Sequence, residues 1–139
     1  MRRLIDAGIR ESPSLHALVR RIERSDVVVY VECNARLESR VAGRLLFVSA
    51  VGGLRYVLVR LARLRSRAQQ IAILAHELQH AVEIADTPAI VDGPSLAREY
   101  QRFGRVNPFA ADGGLAFDTD AAVAMGEKVM REIVAVGGD

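Results

Sequence analysis

The sequence predicts an α+β fold, and three observations carry that prediction. A β-branched run spans Val27 to Cys33. Two further strand-like runs flank a Gly52-Gly53 turn. A long, capped helical pattern starts near Arg67. The order is helices, three strands, then three helices, which predicts a small antiparallel or mixed sheet with a helix packed on it. At 139 residues the chain fits one domain, 1–139, with one core.

Each element has a local cause. Residues 2–10 read as a short helix, interrupted at Ser12-Pro13-Ser14, where Ser14 is a good N-cap. Leu15, Leu18, Val19 and Ile22 then mark one helical face. Val27-Val28-Val29-Tyr30-Val31-Glu32-Cys33 is a strand, with Cys33 read as a small buried hydrophobe. Arg44 to Val51 and Leu54 to Leu61 form a hairpin, because both turn glycines tolerate positive φ.

Ser66-Arg67-Ala68-Gln69 is a capping box opening a helix from about Arg67 to about Asp86, which Pro88 stops. Ile71, Leu74, Ala75, Leu78, Val82 and Ala85 fall within roughly 100° of arc. Ile73, His76, His80 and Glu83 lie on the other side. Asp92-Gly93-Pro94-Ser95 opens the next helix, which ends at Gly104. Residues 105–117 read as a loop, with Asn107-Pro108 and Gly113-Gly114 as breakers. Asp118 or Thr119 caps a last helix with Ala122, Met125, Val129 and Ile133 on its apolar stripe.

Composition narrows the function. Half the residues are apolar and only 5% aromatic, with no Trp, so aliphatic side chains build the interior. No apolar run approaches the roughly 20 residues that span a bilayer. The N-terminus lacks a signal-peptide pattern, which predicts a soluble, cytoplasmic protein unless a leader precedes it. The formal charge is +2, and every basic residue but Lys128 is Arg, as a GC-rich genome would give. Arg60, Arg63, Arg65 and Arg67 form a basic stretch. No aromatics interleave it and no nucleic-acid-binding signature accompanies it, so no nucleic-acid partner is expected. With Cys33 alone there is neither an intrachain disulfide nor a cysteine zinc cage.

The chemistry sits in His76-Glu77-Leu78-Gln79-His80, an H-E-x-x-H sequence on the predicted helix. Residues i and i+4 share a helix face, so two imidazoles can close on one Zn2+. Zinc makes a water nucleophilic near neutral pH, and Glu77 is placed to take that water's proton as general base. Two of the chain's three histidines lie in these five residues. His16, on the boundary of an apolar face, reads as structural.

Leu74-Ala75-His76-Glu77-Leu78-Gln79-His80-Ala81-Val82 resembles the active-site helix of the zincin metallopeptidases, and the third-ligand candidates Glu99 and Asp118 make the resemblance gluzincin-like. The resemblance implies a zincin-type helix on the sheet, Zn2+ as cofactor, and hydrolysis of a peptide or protein substrate. It also implies an extended substrate paired with a sheet edge, for which Leu54–Leu61 is the natural candidate.

A catalytic zinc needs a third protein ligand. Asp86 has the metzincin spacing, but Glu83 stands where that branch has a glycine. Glu83 itself is better placed to orient the ring of His80. Glu99 has a spacing similar to the thermolysin branch. Asp118 opens Phe117-Asp118-Thr119-Asp120-Ala121-Ala122, which is similar to the third-ligand segment of membrane-type gluzincins. Asp118 is favoured, with Glu99 the alternative. Ala121 and Ala122 would let the two helices approach closely. Asp118 could instead be a plain N-cap, Glu99 a partner of Arg102 or Arg98, and Tyr100 a core residue rather than an oxyanion donor. The rival functions are a zincin-like domain that binds zinc or peptide without turnover, and a nucleic-acid-binding or structural module.

Overall fold

The computed structural model describes residues 1–33, 42–63, 66–106 and 117–137. It has the expected α+β architecture. Helices α1 (Arg2–Glu11) and α2 (Pro13–Glu23) precede strands β1 (Val27–Cys33), β2 (Gly43–Val51) and β3 (Leu54–Leu61). Then come α3 (Arg67–Ala85), α4 (Gly93–Phe103), a small β4 (Arg105–Val106) and β5 (Phe117–Asp118) pair, and α5 (Asp120–Ala135). The Asn107-Pro108 and Gly113-Gly114 breakers, and Arg65, lie outside the described residues.

The cap of α2 lies two residues before its expected place. Ser12, not Ser14, is the N-cap of α2, its Oγ accepting from Leu15 N at 3.0 Å. Pro13 explains the shift: it lacks an N–H and has a helical φ, so it suits the first position inside the helix. Ser14 Oγ instead donates to Glu132 Oε1 at 2.7 Å, tying this junction to α5.

The sheet is mixed, in the order β1-β3-β2. The Gly52-Gly53 turn has φ of 60° and 78°, as the hairpin requires. β2 runs antiparallel to β3, while β1 pairs with β3 in parallel. Leu54–Leu61 is therefore the central strand and not the expected edge; the edges are β1 and β2. The cause is non-local. Docking β1 in register sets Val29 beside Val57 and Val31 beside Val59, which widens the apolar face toward the helices. Cys33 is exposed rather than buried. It is the last residue of an edge strand, where neighbours are few.

On β3, Arg55 shares the inward parity of Val57, Val59 and Leu61 and is buried with them. Its guanidinium donates to the carbonyls of Ile84, Thr87 and Ile90 at 2.8, 3.0 and 2.9 Å and makes two bonds to the Asp26 carboxylate. It thus satisfies carbonyls at the C-terminal end of α3 and just beyond it, where a helix lacks partners of its own.

Helix α3 is the axis of the molecule. It touches all three strands of the larger sheet as well as α1, α2 and α5. Of the expected stripe, Ile71, Leu74, Ala75, Leu78 and Val82 are buried and Ala85, at the helix end, is half-buried; Ala72, Ala81 and Ile84 are buried around it. The second face is covered by α5, where Ala122, Val129 and Ile133 of the expected stripe are buried and Met125 is half-buried against the core. Gly126 completes that contact: a Cβ there would stand 3.2 Å from the Ala72 carbonyl and 3.4 Å from His76 Cβ. Among the described residues, no helix is long and apolar enough to cross a membrane. In the basic stretch, Arg60 pairs with Glu32 and Arg67 with Glu11.

Candidate metal centre

The two histidines lie one turn apart on α3, on the face that α5 covers. Their rings meet edge to face, with centroids 5.1 Å apart. Both Nε2 atoms turn toward Asp118 Oδ1, at 3.1 Å from His76 and 3.6 Å from His80. Ligand atoms of the three residues all lie within 4.8 Å of one another. Ligands around a tetrahedral zinc stand roughly 3.3 Å apart, from the Zn–N and Zn–O lengths of about 2.0–2.1 Å. The donor set, two imidazoles and a carboxylate, suits that metal. His76 and Asp118 keep about a fifth of their side-chain surface open, 20% and 18%.

Asp118 is free for this role because it is not the helix cap. Thr119 caps α5, accepting from Ala122 N at 3.1 Å. Asp118 Oδ1 accepts from Thr119 N at 2.9 Å, which fixes the carboxylate. Gly104 lets the chain pass close behind: a Cβ there would come within 2.9 Å of the Asp118 carbonyl.

The other candidate carboxylates point elsewhere. Glu99 faces Arg102 at 3.2 Å, and Asp86 pairs with Arg21 near the surface. Glu83 Oε2 meets His80 Nδ1 at 3.0 Å, on the opposite side of the ring from Asp118. That contact fixes the orientation of the ring. Tyr100 is buried, and its hydroxyl donates to Glu83 Oε2 at 2.8 Å. Its hydroxyl therefore supports Glu83. His16 is exposed on α2.

Glu77 is buried beside β2, with 6% of its surface exposed. A Cβ on Gly43 would stand 2.9 Å from Glu77 Oε1 and 2.6 Å from Ile73 Cγ2, so the edge strand passes close over this carboxylate only because residue 43 is glycine. Neither Gly43 nor Gly126 stood out in the sequence. A glycine opening a strand, and another within an apolar helical stripe, are the signals that mark such close approaches.

The electrostatics follow from crowding three carboxylates around two imidazoles. Burial pushes the Glu77 carboxyl up to about 7, with Asp118 and Glu83 adding to it and His80 opposing. Burial would lower His80, but the bonds to Asp118 and Glu83 outweigh it and lift the ring to about 9. Burial and the neighbouring charge of His80 lower His76. Against their own burial, Asp118 is held below the usual carboxylate range by His80 and His76, and Glu83 by His80 with the hydroxyls of Thr119 and Tyr100. Negative charge is thus in excess at the centre, a condition a bound cation relieves.

Comparison with protein-family models, with curated proteins and with solved structures finds no match to this chain.

Proposed function

We propose that this chain is a zinc-dependent hydrolase of the zincin kind that cleaves a peptide or similar amide. The observation that carries the reading is the convergence of His76 Nε2 and His80 Nε2 on Asp118 Oδ1, with Glu77 on the same helix. His76, His80 and Asp118 would hold the metal. When bound, zinc supplies Lewis-acid polarisation, which makes both a carbonyl and a water reactive near neutral pH. Glu77 accepts the proton of the attacking water and passes it to the departing amine. Glu83 keeps the ring of His80 in place throughout. Among the described residues strand β2 is a sheet edge, and it runs past Glu77, which makes it the natural dock for an extended peptide.

The burial of Glu77 favours a second reading, a domain that binds zinc or peptide without turnover. Digestion of a mixed peptide library by the zinc-loaded protein, followed by mass spectrometry, separates the two. Hydrolysis that stops with a chelator and returns with zinc supports the enzyme. Zinc binding with no peptide cut supports the second reading.

A further inference from the structure

Glu83 is the meeting point of three separate elements. Its Oε1 accepts from Thr119 Oγ1 at 2.5 Å, at the junction of β5 and α5. Its Oε2 accepts from Tyr100 on α4 at 2.8 Å and meets His80 Nδ1 at 3.0 Å on α3. Thr119 touches the opposite side of the centre as well, since its N–H donates to Asp118 Oδ1 at 2.9 Å. One residue therefore contacts both the carboxylate behind His80 and the carboxylate in front of it. We propose that Thr119 and Tyr100 are positioning residues that clamp Glu83 and so set the geometry and affinity of the metal centre, with Thr119 linking the chain segment of Asp118 to the ring of His80.

The physical argument concerns freedom. A free imidazole turns about its χ2, which is broad and roughly two-fold, so its Nε2 does not hold one direction unaided. A carboxylate on Nδ1 removes that freedom only if it is itself fixed. Glu83 has a long side chain, and two hydroxyl donors on its two oxygens remove its remaining choices. Tyr100 approaches from the Nδ1 side, with its ring 5.5 Å from that of His80 and in contact with Phe103 and Phe117. That packing holds the hydroxyl where it is. Thr119 Oγ1 also accepts from Ala122 N, so the same oxygen starts α5 and fixes Glu83.

The inference rests on the metal reading, and cobalt(II) substituted for zinc tests both. The visible absorption of the cobalt protein reports ligand geometry, and titration gives its affinity. Thr119→Val and Tyr100→Phe should each weaken cobalt binding by about 10- to 100-fold and alter the absorption bands. Thr119→Ser, which keeps donor and cap, should match wild type. Valine also removes the cap of α5, so Tyr100→Phe, which leaves that cap in place, guards against a purely structural effect. Wild-type affinity and spectrum in both Thr119→Val and Tyr100→Phe would overturn the clamp, as would a Thr119→Ser protein as impaired as the valine variant. A wild-type protein that takes up no cobalt would overturn the metal centre itself, and the clamp with it.

Discussion

His76 Nε2 stands 3.1 Å from Asp118 Oδ1, although one residue sits mid-helix on α3 and the other just ahead of α5. The contact depends on the close packing of those helices at Gly126 and Ala122, and on Thr119 taking the cap that Asp118 would otherwise fill. Of the carboxylates that the sequence leaves open as a third ligand, Asp118 is the one that stands against both Nε2 atoms.

Asp118→Ala should therefore weaken zinc binding far more than Glu99→Ala. Loss of a direct ligand outweighs loss of a residue whose carboxylate faces Arg102. Competitive titration against a chromophoric chelator gives both affinities. Equal losses, or a larger one for Glu99→Ala, would assign the third ligand elsewhere.

Glu77→Gln keeps the size of the side chain and removes its capacity to accept a proton. Zinc content should stay near wild type while peptide hydrolysis falls by about 100-fold or more. Steady-state rates on a peptide taken from the library digest supply the comparison. Equal rates in the two proteins would remove Glu77 from the mechanism.

Arg55→Met should destabilise the fold by about 3 kcal/mol, since it strips donors from buried carbonyls and leaves Asp26 unpaired. Urea unfolding measures it. A loss below about 0.5 kcal/mol, the size of an ordinary surface change, would mean that the cage at the end of α3 contributes nothing.

The same pair predicts a pH dependence. The hydrogen bonds from Arg55 outweigh a small burial effect and hold the Asp26 carboxyl below its ordinary value. The folded value lies below the unfolded one of about 3.9. Its stabilisation is therefore full above that unfolded value and lost as pH falls through the folded value. Thermal melts of wild type and Asp26→Asn should differ by a constant Tm gap above about pH 5, and the gap should close on further acidification. A gap that widens in acid contradicts the assignment.

What the sequence made legible is what local chemistry decides. The Ser66 cap, the stripe from Ile71 to Val82 and the Gly52-Gly53 turn each act within a few residues, and all three appear in the structure. The i, i+4 spacing of His76 and His80 belongs to the same class. The placement of Glu83 behind His80 follows from helix geometry as well. The rest depends on contacts between distant segments. That β1 docks in parallel on β3 displaced the expected edge strand, and nothing within Leu54–Leu61 announces it. Arg55 was visible in principle, because it shares parity with Val57, Val59 and Leu61, but its carbonyl partners lie on and beyond α3. The second bond of Thr119, to Glu83, depends on how α5 meets α3.

The most direct test of the centre is metal stoichiometry. The protein is stripped of metal, reloaded with zinc, freed of excess and measured by elemental analysis, beside the double variant His76→Ala/His80→Ala. The arrangement of His76, His80 and Asp118 predicts about one zinc per chain in the wild type and essentially none in the double variant. A wild type that retains no zinc, or a double variant that retains all of it, would contradict the centre described here.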